Sequence, residues 1–446
     1  MELLQRRGFK RQSICNLLLR NDFARQLRVE VFKVVPRLSQ AALKCGFLAF
    51  LCLAVSGAVA QAAAASQSTV VQMPVVTEEM REYSRLRYIA YFVGTAYELG
   101  VQFLILTTGL SAYIRDRAES QAKNPFVQFT LYLMSLYVVM CMSMAPIAYV
   151  SGFLMEHYFQ LSQQSFLDWL VDLLKMGLIG FFILFPITGS FFLLIRKLPR
   201  RWPIVFCLVA SILIGVETFI SPILLEPMLN KFTTMPDSAL KTRIEALAAK
   251  AGAPGAPIYV ADKSKQTNKL NAYVSGLAGS THVVIWDTTL QKLPDDQILS
   301  IVGHELGHYY LHHVYLDFLI SVGILVLLVP VNMYLLRPLV ARFPKRWKIR
   351  GLEDFAVLPA LILTASICSF LSDPIDNAWS RKQEHDADAF SLRVTGNGPA
   401  MARAFVTLSQ QNLSEPDPPP FIQFWLFSHP SLKDRINFAL GNEVQQ

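Results

Sequence analysis

The residues best suited to chemistry in this chain are two histidines with a glutamate between them, in His304-Glu305-Leu306-Gly307-His308. On a helix, positions four apart stand one above the other on the same face. That spacing lets two imidazoles reach one zinc ion and leaves Glu305 placed to act on water held there. The run from Pro294 to about His313 reads as helix, and Ile298, Leu299, Ile301, Val302 and Leu306 mark a buried face.

A catalytic zinc takes three protein ligands and keeps a further position open. After His304 and His308, the candidates for the third are His312, His313, Glu384, His385, Asp386, Asp388 and His429. His312 is one turn beyond His308, and ligands from three successive turns of a straight helix converge poorly on a tetrahedron. Glu384, in the block Ser380–Asp388, is preferred. Asp388 follows it by one turn on the same face, suited to hold the outer N–H of a ligand imidazole. Glu305 is then the general base.

These residues need elements to hold them, and the composition says those elements lie in a membrane. The 446 residues are 53% hydrophobic and only 17% charged, against about 25% charged in a soluble domain. Residues 1–44 carry ten Lys/Arg against three acids, so nearly all of the net charge of +8 sits in a basic leader. The charge therefore gives no reason to expect a nucleic-acid partner. Gly46–Ala60 is apolar and ends in Ala58-Val59-Ala60, a signal-peptide pattern that could equally stay as a first anchor. Apolar runs follow at about 88–113, 126–150, 176–195, 203–224, 317–336 and 355–371. Each approaches or exceeds the roughly 20 residues that cross a bilayer as helix. Residues 157–175 read as an amphipathic interfacial segment. The six cysteines fall in the leader or in apolar runs, so neither a disulfide framework nor a cysteine metal site is expected.

Three domains follow: a leader at 1–65, a transmembrane domain at 66–224, and a metallopeptidase domain at 225–446 containing two further spans. Within the last, a helix opens at Pro236-Asp237-Ser238 and ends at Gly252. Short strands are expected at Ile258–Val260, Ala272–Val274 and Val283–Trp286, and a second long helix from about Pro374 to Gln411. The loops at 114–125, 196–202 and 337–350 are rich in Lys/Arg, whereas 151–174 has neither. The positive-inside rule puts the basic loops in the cytoplasm and both 225–316 and 372–446 on the outer face.

The chain resembles the integral-membrane (type I) CAAX prenyl protease family of zinc metallopeptidases. The resemblance is carried by His304–His308, the Ser380–Asp388 block, Ile220–Lys231 with Pro222, Pro227 and Asn230, the triplet Asn271-Ala272-Tyr273, and Ser428-His429-Pro430 followed by Arg435. It covers roughly residues 80–446. It implies a mainly α, polytopic fold of seven membrane helices around a large chamber, with a small α+β gluzincin-like domain. It also implies one zinc ion held by His304, His308 and Glu384, with Glu305 as base and Asp388 and His429 in the catalytic site. Asn271 would lie on an edge strand that pairs with substrate, and Arg435 would contact substrate or order the site.

The expected activity is zinc-dependent endoproteolysis of peptides or membrane proteins among membrane lipids. The alternative is a non-proteolytic chamber that binds or transports lipids or peptides. Two features depart from the family's eukaryotic members, which cut prenylated peptides on the cytosolic side. The charge bias puts this site on the periplasmic side of a bacterial inner membrane, and a bacterium is not expected to prenylate its proteins. Fold and chemistry carry over, and the substrate does not.

Overall fold

The computed structural model describes residues 71–221, 225–276 and 280–441. The leader, the run at 46–65 and Pro222 lie outside them. The membrane half consists of α1 (Glu78–Thr107), α2 (Leu110–Gln121), α3 (Pro125–Tyr158), α4 (Phe166–Lys197) and α5 (Trp202–Ile220). Strand β1 (Phe232–Thr234), helix α6 (Ala239–Lys250) and strands β2 (Ile258–Ala261), β3 (Ala272–Ser275) and β4 (His282–Trp286) follow. Then come α7 (Asp295–Tyr310), α8 (His313–Arg342), α9 (Leu358–Thr395), α10 (Gly398–Gln411), α11 (Pro420–Leu426) and α12 (Leu432–Ala439). Among the described residues, α1, α3, α4, α8 and the helix built on α9 are long and apolar enough to cross a membrane. The apolar α5, of 19 residues, is shorter.

Several expected boundaries move, each for a local reason. The first span begins at Glu78, ten residues before its apolar run, because Thr77 caps it by accepting from the Met80 amide. It stops at Gly109, whose φ of 72° ends the helix. Residues 157–175 do not form one continuous element. They divide between the end of α3, a turn and the start of α4, which Ser165 caps by accepting from Asp168 N. The expected run at 355–371 and the helix from Pro374 are one rod, since Pro374 lies inside α9. That rod breaks at Gly396 (φ 63°), before Gln411. With 38 residues it is about 57 Å long, so it exceeds a hydrocarbon core of about 30 Å.

The sheet has the order β1-β2-β4-β3. Strands β2 and β4 are parallel (Ile258 opposite Val283), and β1 and β3 pair antiparallel on either side. Strand β1 escapes the sequence reading because three residues carry no alternation. Strand β3 is an edge. Ile258, Ala272, Val283 and Ile285 pack with Ile244 and Leu247 of α6 and with Ile298 and Val302 of α7. A second core joins the membrane helices around Tyr132, Leu136, Phe192, Trp202, Leu336 and Phe355.

The three basic loops meet at one end of this bundle. Arg115, buried on α2, pairs with Asp354 and donates to the Lys348 carbonyl. Arg350 pairs with Asp116 and Glu119, and Arg196 donates to the Glu353 carbonyl. Asp354 also accepts from the amides of Arg350 and Ala356. Both Arg115 and Asp354 side chains are 4% exposed, so removing one strands a buried charge. Arg115→Met should therefore destabilise the protein by about 3–5 kcal/mol. Thermal unfolding in detergent should read this as a lowered Tm, largely recovered in the double variant Arg115→Met/Asp354→Leu.

Candidate metal centre

Helix α7 is buried almost all round from Gln297 to Gly307, and Asp295 and Asp296 in its first turn favour its positive end. It lies against α9 at a separation set by small residues. A Cβ at Gly307 would stand 3.1 Å from both the Cα and the carbonyl oxygen of Ala387. One at Gly303 would stand 3.0 Å from Ser391 Oγ. Ser391 Oγ itself donates to the Ser300 carbonyl at 2.7 Å. The facing pairs are thus Gly303 and Gly307 on α7 and Ala387 and Ser391 on α9, each four residues apart.

This approach brings the polar faces of the two helices together. His304 Nε2 and His308 Nε2 are 3.2 Å apart. Glu384 Oε2 is 3.2 Å from His304 Nε2, and Glu384 Oε1 is 3.4 Å from His308 Nε2. Bonds of about 2.0–2.1 Å to a tetrahedral zinc place ligand atoms about 3.3–3.4 Å apart. The observed triangle has that size. Among the described residues, these three form the group of His/Cys/Asp/Glu side chains able to hold a metal ion. Glu384 is buried and its carboxylate faces both imidazole Nε2 atoms, an anionic donor set of the kind that holds a divalent cation. The donors therefore fit a metal.

The outer nitrogens of both imidazoles are held. Asp388 Oδ1 lies 2.8 Å from His304 Nδ1. Arg435 grips Asp388 with two N–H groups, Nε to Oδ2 at 2.8 Å and Nη2 to Oδ1 at 2.7 Å. Burial disfavours the charged imidazole of His304, yet hydrogen bonds to Asp388 and Glu384 lift its pKa to about 9. The surroundings thus stabilise positive charge at this spot. His308 Nδ1 is 2.8 Å from His313 Nδ1. His313 is buried; treated in sequence as one of several possible ligands, it instead backs a ligand candidate from behind.

The remaining residues line a cavity of about 310 Å³ whose wall includes Glu305, Asn271, Trp286, His429 and Arg435. Burial raises the Glu305 carboxyl above its ordinary pKa. His429 Nε2 is 3.3 Å from Glu384 Oε1, and its side chain is 54% exposed. Arg435 is 8% exposed and bonded to Asp388, so its position suits ordering His304 better than meeting substrate. Asn271 lies at the other side of the cavity, just before edge strand β3, and its side-chain oxygen accepts from Ala272 N. His385 packs on Phe438, and His312 occupies the break between α7 and α8 with φ 58°.

Sequence comparison agrees with this construction. Residues 235–443 match the model of Peptidase family M48, and residues 73–231 match the CAAX prenyl protease N-terminal model of five membrane helices. A Bacillus subtilis protein described as an uncharacterized metalloprotease, YhfN, is 31% identical over 370 residues, covering 81% of this chain and 85% of that one. The chain belongs to peptidase family M48. CAAX prenyl protease 1 of Saccharomyces cerevisiae is 26% identical, covering 80% of this chain and 84% of its own. The crystal structure of S. mikatae Ste24p superimposes with a TM-score of 0.72 at 23% identity, covering 83% of this chain and 92% of that one, which establishes the shared fold. The protein is thus a membrane-embedded metalloendopeptidase of mainly helical fold, and its family implies a divalent metal. Nothing observed favours a chamber without proteolytic chemistry.

Because the centre depends on the approach of α7 to α9, Gly307→Val should separate them. The expected outcome is protein that still inserts and extracts in detergent but retains well under half the wild-type metal, read by elemental analysis.

Proposed function

We propose that this enzyme is a zinc endopeptidase in which His304, His308 and Glu384 hold the metal and Glu305 is the general base. The observation that carries this reading is the triangle of ligand atoms 3.2–3.4 Å apart on two helices. When bound, zinc supplies a Lewis acid that polarises the scissile carbonyl and makes water a stronger nucleophile. Glu305, half-buried with its pKa raised, takes the proton of the attacking water on a carboxylate oxygen and returns it to the leaving amine. Asp388 fixes the orientation of His304, and Arg435 fixes Asp388. His429, at the open side of Glu384, is placed to donate to the oxyanion as it develops. The edge of β3 beyond Asn271 offers unpaired backbone groups to an extended peptide.

Residues 66–224 then form the membrane half and 225–446 the catalytic half. The site belongs on the periplasmic side of a bacterial inner membrane. Support for the side comes from the basic loops, which meet at one end of the bundle, and support for a bacterial membrane from the similar Bacillus protein. Substrates are peptides or unfolded membrane proteins that reach the cavity in extended form.

Glu305→Gln should keep its metal and lose about 10²–10⁴-fold in kcat, whereas Glu384→Gln should lose both metal and activity. Casein cleavage alongside elemental analysis separates the two, and equal cleavage by wild type and Glu305→Gln would refute the protease reading. A reporter fused after residue 290 should be active only in its periplasmic form.

A further inference from the structure

Strand β3 is held from outside its own sheet. Its side chains alternate: Ala272 and Val274 face the catalytic core, and Tyr273 and Ser275 face the other way. Both hydroxyls on that second face donate to a single carboxylate. Tyr273 Oη is 3.0 Å from Glu226 Oε2, and Ser275 Oγ is 3.1 Å from Glu226 Oε1. Glu226 opens the short helical turn Glu226–Leu229, downstream of membrane helix α5. One carboxylate from the segment that follows α5, still within the residues matching the five-helix N-terminal model, therefore spans two positions of the edge strand.

The two ends of the strand are secured unequally. At the N-terminal end, Lys269 pairs with Glu156 of α3 at 2.7 Å and donates to Tyr83 of α1 at 2.8 Å. There the catalytic half adds its own bonds: Asn412 pairs with both the amide and the carbonyl of Leu270, and Thr289 with those of Asn271. At the C-terminal end the chain turns at Gly276, with φ 85°, and among the described residues the side-chain ties of Tyr273 and Ser275 lead to Glu226. An ionised carboxylate accepting two hydroxyls makes charge-assisted bonds, stronger than neutral ones. Burial and the neighbouring Glu226 raise the Tyr273 pKa, so its hydroxyl stays a donor.

We propose that Glu226 is a positioning residue that fixes β3 relative to the metal centre, and thereby sets how well an extended substrate is held. The proposal rests on the reading of β3 as the substrate-pairing edge. It assigns the chain that leaves membrane helix α5 a part in substrate binding, since the carboxylate that aligns the strand is rooted there. Such a residue touches neither substrate nor metal, so its loss should appear in KM.

The test uses the full-length enzyme in detergent with fluorescein-labelled casein. Glu226→Ala should raise KM about tenfold and Glu226→Gln, which keeps one acceptor, about threefold, with kcat within about twofold and metal content unchanged. Hydrogen exchange of a peptide spanning residues 271–276 should quicken in the same order. Should Glu226→Ala lose its metal, the pair Tyr273→Phe/Ser275→Ala, which leaves the carboxylate in place, carries the same expectation. Unchanged exchange, or faster exchange with unchanged KM, would overturn the proposal. Failure of the wild type to cleave casein better than Glu305→Gln would instead count against the protease reading, and exchange alone would then decide whether Glu226 holds the strand.

Discussion

The metal centre depends on how closely α7 and α9 can approach. His304 and His308 stand on one helix and Glu384 on the other, so the distance between helix axes becomes the distance between ligands. Gly303 and Gly307 against Ala387 and Ser391 let the backbones come so near that a Cβ at Gly307 would need the α9 backbone to give by a few tenths of an ångström. Metal coordination tolerates deviations of about 0.2 Å, whereas one inserted methyl group moves a helix by more than that. The glycine inside the metal motif is therefore a packing residue as much as a spacer. Interior packing transmits strain rather than absorbing it, so a change anywhere along this contact reaches the ligands.

Charge arrangement follows from the same burial. Asp388 is 1% exposed, and an isolated carboxylate there would be strongly disfavoured. Arg435 neutralises it through two hydrogen bonds while resting on the Phe405 ring at 4.3 Å. The same guanidinium also comes within 3.5 Å of Glu384 Oε2, so it faces both acidic side chains of the site. The two histidines are then unequal: His304 has an anionic partner behind it and His308 a neutral imidazole. An anionic partner makes an imidazole the more basic ligand, so of the two proposed ligands His304 would be the stronger donor.

Legibility in the sequence tracks how local each signal is. The spacing of His304 and His308 can be read because the helical period alone determines it. Glu384 is eighty residues further on, and it was reached through the Glu384-x-x-x-Asp388 pattern, which again sits on one helix face. The role of His313 could not be read this way. Five residues at 100° each turn it about 140° away from His308 on a straight helix, and only the left-handed residue His312 swings it back. The bond between Arg435 and Asp388 was equally hidden, since nothing local ties position 435 to 388. Hydropathy falls near Pro374, inside the long α9. Hydropathy reports where a helix leaves lipid, which need not be where it ends.

That continuity explains why a membrane protein is needed to build this site. Helix α9 packs on α1 and α8 in its apolar half and on α7 in its polar half, so Glu384 is delivered by a rod whose root lies among membrane helices. The turn after α3 is stitched to the catalytic half independently. Leu161 O accepts from Asn268 N at 2.8 Å, Ser162 Oγ donates to Gln266 O at 2.7 Å, and Asp172 accepts from both Gln164 and Gln266. These bonds end where β3 begins, beside Lys269 and its partner Glu156. The ligand helix and the edge strand, the two walls between which an extended peptide would lie, are thus each registered against the membrane half by separate contacts. A fragment cut to residues 225–446, which still holds the spans α8 and α9, would keep the metal motif and lose the contacts to α1 and α3 that help set the width of the cavity.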